Sequence, residues 1–138
     1  MNEEKETIKS KIEVIRENID YLEEEEFSPQ ESSFRVTQAI RHSLFEAIQA
    51  SIDIAGHIIS EEGYKRPNNY SSLFLKLSKE NILSGELGEK LAQMSKFRNL
   101  LIHRYGELRD REIKEILEND LKDLNDFLEE IYDYMEKN

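Results

Sequence analysis

Ala47-Ile48-Gln49-Ala50-Ser51-Ile52-Asp53-Ile54-Ala55-Gly56-His57-Ile58-Ile59 is the stretch that decides the fold. Ile48, Ile52, Ala55 and Ile59 continue a helical stripe begun by Ile40, Leu44 and Ala47, and Phe45, Ile54 and Ile58 widen it beyond one face. A helix apolar over so much of its circumference must be covered on several sides, either at the centre of its own chain or against a second copy. The pattern predicts a helix from about Ser32 to Glu62, with Gly63 as its stop.

Upstream, Ile8, Ile12, Ile15, Ile19 and Leu22 alternate at four and three residues and mark an amphipathic helix from about Glu3 to Glu26, followed by Pro29. Downstream, Lys65-Arg66-Pro67-Asn68-Asn69 has the turn chemistry of a loop, and a short helix then carries Leu73, Phe74 and Leu77. A fourth helix starts near Ser84 and turns Leu87, Leu91, Met94 and Leu101 inward, with Gly106 as its stop. The last, roughly Asp110 to Met135, repeats Ile113, Leu117, Leu121, Leu124, Leu128 and Ile131. The fold class is therefore all-α: an up-and-down bundle of about five helices, the third short, with residues 1–138 forming a single domain.

Composition agrees, since two prolines and five glycines leave few helix breakers in 138 residues. Cysteine is absent, which removes disulfides and thiolate metal sites, and neither His42 nor His57 has metal-ligand spacing to acids, so no metal or other cofactor is expected. The charged N-terminus and the lack of any apolar run of roughly 18 to 20 residues predict a soluble, cytoplasmic chain with no membrane association. A net charge of −11 would argue against nucleic acid, but acid gathers in Glu23-Glu24-Glu25-Glu26 and between Glu112 and Glu136. Arg35, Arg41, Lys90, Lys96, Arg98, Arg104, Arg109 and Arg111 lie between those blocks, so a local basic groove on an acidic body is open to this sequence.

The fourth helix ends on Phe97-Arg98-Asn99-Leu100-Leu101-Ile102-His103-Arg104-Tyr105. Arginine offers five donors and a permanent charge, and histidine changes charge near neutrality, which suits an anionic phosphate undergoing proton transfer. At about 100° per residue Arg98 and Tyr105 share a face, while His103 lies roughly 140° round from Arg98. Bringing the pair together needs either a loosened helix near His103 or two copies of the chain meeting. Asn99 stands one turn before His103 and is placed to orient its ring, with Arg104 as an extra cation. Asp53, in the most apolar part of the second helix, calls for a partner: His103, a nearby arginine, or a purely structural one, unless it faces solvent. Spacing alone does not establish catalysis.

The motif Arg98, His103 and Tyr105 within Phe-Arg-Asn-Leu-Leu-Ile-His-Arg-Tyr resembles the signature of the HepT toxins of the HEPN superfamily, which are encoded beside MNT nucleotidyltransferase antitoxins. The Ala47 to Ile59 segment, Pro67 and the Asp120 to Tyr132 helix resemble that family's layout as well. The resemblance implies an all-α homodimer whose two motifs line a shared cleft, acting as a metal-independent endoribonuclease with Arg98 and His103 as the catalytic pair. It further implies that the partner antitoxin transfers AMP to the Tyr105 hydroxyl, which would block substrate phosphate and occupy the arginines. The second and fourth helices are the candidate dimer face. The rival expectation is a non-enzymatic dimeric adaptor that binds and serves a nucleotidyltransferase.

Overall fold

The computed structural model describes residues 2–102 and 110–137. Its elements are α1 (Asn2–Glu24), α2 (Phe34–Glu61), α3 (Tyr70–Lys79), α4 (Gly85–Ser95), α5 (Arg98–Ile102) and α6 (Asp110–Lys137), and no strand occurs among the described residues. None of these helices is long and apolar enough to cross a membrane.

Local chemistry sets most of the boundaries. The side chains of Ser33, Asn69 and Ser84 accept hydrogen bonds from the Val36, Ser72 and Leu87 amides, satisfying N–H groups that the first turns of α2, α3 and α4 leave without helical partners. At the end of α2, Gly63 takes φ +75° and the Tyr64 amide reaches back to the Ile59 carbonyl at 3.0 Å, closing the helix with a left-handed residue. Asn81 does the same for α3 at φ 61°, with Ile82 N–H donating to the Leu77 carbonyl.

The second helix is central within its own chain. It packs on α1, α3, α4, α5 and α6, and Ile40, Leu44, Ile48, Ile52, Ile54, Ile58 and Ile59 are all buried. The wide apolar surface that the sequence left open to a second copy is thus covered internally. Helices α1 and α2 are antiparallel: Asn18 meets Ser43 and Glu46, whereas Lys11 meets Asp53. Phe127 of α6 meets Phe74 of α3 edge-on with ring centroids 6.0 Å apart. Between α3 and α4 the approach is closest at Gly88, where a Cβ would fall 1.8 Å from Ser78 Oγ.

One expectation is corrected. The sequence pattern ran a single helix from Ser84 through Leu101, yet the structure breaks it at Lys96 and Phe97. Both residues donate their amides to carbonyls three residues back, Gln93 and Met94, which tightens the last turn of α4 and ends it. Ser95 Oγ also donates to the Ala92 carbonyl at 2.7 Å, a side-chain bond that competes with the helical ladder. Arg98 therefore opens α5 instead of continuing α4.

Candidate active site

Arg98 begins α5, and its position comes from α2, against which α5 packs. Arg98 Nε donates to Gln49 Oε1 of α2, and Arg98 Nη1 donates to Asn99 Oδ1 at 2.7 Å. The rings of Phe45 and Tyr70 each lie with their centroids 5.2 Å from Arg98 Cζ, so the guanidinium is held by stacking as well as by hydrogen bonds. Two of arginine's five donors are engaged this way, and the others meet no acceptor among the described residues.

Gln49 extends the network. Its Nε2 donates to Asp53 Oδ1 at 2.9 Å, and the other Asp53 oxygen pairs with Lys11 Nζ of α1 at 3.1 Å. The amide can face only one way, because its oxygen must meet the guanidinium and its nitrogen the carboxylate. Lys11, Asp53, Gln49 and Arg98 therefore form a line from α1 across α2 to α5. Asp53 is paired, as an acid in that apolar stretch requires, but with a lysine instead of an arginine, and it reaches Arg98 through Gln49. Asn99 turns its side-chain oxygen to Arg98. His103, Arg104 and Tyr105 lie outside the described residues.

Arg41 is not part of a free basic surface. Its Nε and Nη2 donate to the Leu101 and Leu100 carbonyls at 3.3 and 3.0 Å, tying α2 to α5. Arg35 stays exposed near the start of α2, and His42 is exposed beside Glu46. Gln49, Phe45 and Tyr70 lie close to Arg98 with no functional role legible in the sequence, where Phe45 only widens the apolar stripe of α2. The available signal was the spacing of Phe45, Gln49 and Asp53, four residues apart on one face of α2; Tyr70 comes from α3 and left none.

Beyond the Phe97 side of the break lies a shallow cleft lined by Phe97, Glu112, Ile116 and Asp120, among others. Asp120 Oδ2 is buried with no hydrogen-bond partner among the described residues. Burial, reinforced by the neighbouring Asp123 carboxylate, pushes the Asp120 carboxyl up to about 7.

A helical chain built around one enclosed helix, presenting an anchored arginine beside an Arg-x4-His-x-Tyr segment, defines a HEPN-type domain. The chain belongs to the HepT-like ribonuclease family, whose pattern matches residues 8–131. It is 36% identical over 106 residues to the tRNA nuclease HepT of Aphanizomenon flos-aquae, covering 73% of this chain and 71% of that protein. It is 26% identical over 98 residues to the mRNA nuclease HepT of Shewanella oneidensis, covering 71% and 74% respectively. The tri-AMPylated Shewanella oneidensis HEPN toxin, solved in complex with MNT antitoxin, superposes with a TM-score of 0.83 at 25% identity over 91% of this chain and 96% of that one.

Proposed function

We propose that the chain is a cytoplasmic, metal-independent endoribonuclease toxin, acting as a homodimer and neutralised by an MNT-type nucleotidyltransferase that transfers AMP to Tyr105. The observation that carries this reading is Arg98: a guanidinium fixed by an amide, a neighbouring asparagine and two rings, with donors left over, inside the motif that ends in His103 and Tyr105. Residues 1–138 act as one domain, with α2 and α4 as candidate dimer faces and with Asn99, Arg104 and Asp53 supporting the pair.

The ribose 2′-hydroxyl adjacent to the scissile phosphate is the nucleophile. His103 takes its proton as the 2′-oxygen bonds to phosphorus; the bond to the 5′-oxygen breaks, and that oxygen receives a proton as it leaves. Arg98 binds the non-bridging oxygens, whose charge grows in the transition state, and its prior anchoring means that little reorganisation accompanies the step. The products are a cyclic phosphate and a free 5′-hydroxyl. An adenylyl group on Tyr105 brings a phosphate of its own to this arginine and competes with substrate.

Cleavage of RNA by the parent, His103→Ala and Arg98→Ala tests the assignment. Each variant should lose about 10² to 10⁴ in rate while folding and dimerising as before, and His103→Ala cutting as fast as the parent would remove the catalytic assignment. Intact-mass measurement after coexpression with an MNT-type nucleotidyltransferase should find added AMP on Tyr105. The overall charge of −11 favours a second reading, a non-enzymatic adaptor for that partner. Induction of the chain alone harms a host under the first reading and not under the second.

A further inference from the structure

We infer that the groove running along α2 away from Arg98 is a phosphate-binding subsite, which takes the backbone of single-stranded RNA beside the bond to be cut. The inference rests on the ribonuclease reading above and extends it to residues with no motif. The groove has a volume of about 400 Å³, and its lining includes Lys11, Gln49, Asp53, His57, Arg66 and Tyr70.

Two of these residues make it continuous with the candidate active site, since Gln49 bonds Arg98 and the Tyr70 ring lies against the same guanidinium. Its floor is one stripe of α2, from Gln49 through Asp53 and Gly56 to Ser60, about 16 Å long at 1.5 Å per residue. That length exceeds one phosphate group and suits a strand lying along the helix.

Arg66 supplies the charge. Gly56 has no side chain, and a Cβ there would stand 3.1 Å from Arg66 Nη1 and 3.4 Å from Nη2, so the guanidinium rests directly on the helix. Arg66 has no hydrogen-bond acceptor or ion-pair partner among the described residues, unlike Lys11, whose charge is matched by Asp53 at 3.1 Å. An arginine that is seated, exposed and uncompensated on a chain of net charge −11 is a local positive site for a phosphodiester. His57 and the half-exposed Tyr70 flank it with rings on which bases can stack.

The test uses the full chain and a fluorescein-labelled single-stranded 2′-O-methyl RNA, which lacks the nucleophile and stays intact. Fluorescence anisotropy titrations over a salt series compare the parent with Arg66→Ala, Arg66→Lys and Arg98→Ala, with thermal melting as the check on folding. Arg66→Ala should weaken binding about five- to tenfold and reduce the log–log salt slope by about 0.7, the loss of one phosphate contact to a single strand. Arg66→Lys should restore the slope. If Arg98→Ala weakens binding while Arg66→Ala leaves affinity and slope unchanged, the groove takes no phosphate and the ribonuclease reading stands. Weaker binding with an unchanged slope also overturns the subsite, and a parent that binds no RNA overturns both.

Discussion

Replacing Gln49 with leucine removes the acceptor for Arg98 Nε while keeping a side chain of similar size on α2. A hydrogen bond to a charged group contributes about 1.5–3 kcal/mol. Asn99 and the Phe45 and Tyr70 rings remain, so part of the restraint survives and the net loss in positioning Arg98 is about 1–2 kcal/mol. At about 1.36 kcal/mol per tenfold in rate, kcat/KM should fall by roughly 5- to 30-fold. On the proposed role of Arg98, binding charge that grows in the transition state, the loss should appear in kcat with KM nearly unchanged. Asp53 loses one donor and keeps Lys11, so the fold survives. Initial rates of RNA cleavage at several substrate concentrations, together with a urea melt, provide the measurement. A Gln49→Leu enzyme with parental kcat would mean that Arg98 does not depend on α2 for its aim; an equal rise in KM alone would mean that it only binds substrate.

Asp120 makes stability depend on pH. The unfolded chain releases this proton near pH 4 and the folded chain near 7, so folded protein holds a proton that unfolded protein has lost, and stability falls as pH rises through that window. The full displacement corresponds to about 4 kcal/mol, which solvent screening of a partly exposed carboxyl reduces to about 2; Asp120→Asn should recover that amount at pH 8 and flatten the profile measured by denaturant melts. Gly88→Ala drives a methyl into Ser78 and displaces its 2.9 Å bond to the Ser84 carbonyl. Overpacking and the lost bond outweigh the gain of about 1 kcal/mol in helix propensity, for a net destabilisation of about 2 kcal/mol read from the urea midpoint. A stabilised Gly88→Ala would mean that α3 and α4 are not so closely apposed.

The helices were legible because helical periodicity and capping residues are local: Ser84 and Gly63 mark boundaries that the structure keeps. The break before Arg98 was not, since Ser95, Lys96 and Phe97 contain neither proline nor glycine and the apolar pattern runs through them. Arg98 stood out through its motif, whereas its supports did not. Gln49 lies 49 residues earlier in the chain, and Tyr70 belongs to a different helix. Such pairings arise from tertiary packing, and only the folded chain brings them together. Arg41 shows the converse: its charge looked available in the sequence and is bound to the α5 carbonyls in the fold.

The described part of α5, Arg98–Ile102, leans on α2, against which it packs. It is held by that neighbour at two points, with Gln49 gripping its first residue and Arg41 the Leu100 and Leu101 carbonyls. Under the proposed function, the segment that Arg98 opens resembles a blade clamped to a handle, and its sharpness depends on how stiff the handle is. Changes buried deep in α2, far from any phosphate, can therefore blunt the cut without touching a reacting atom.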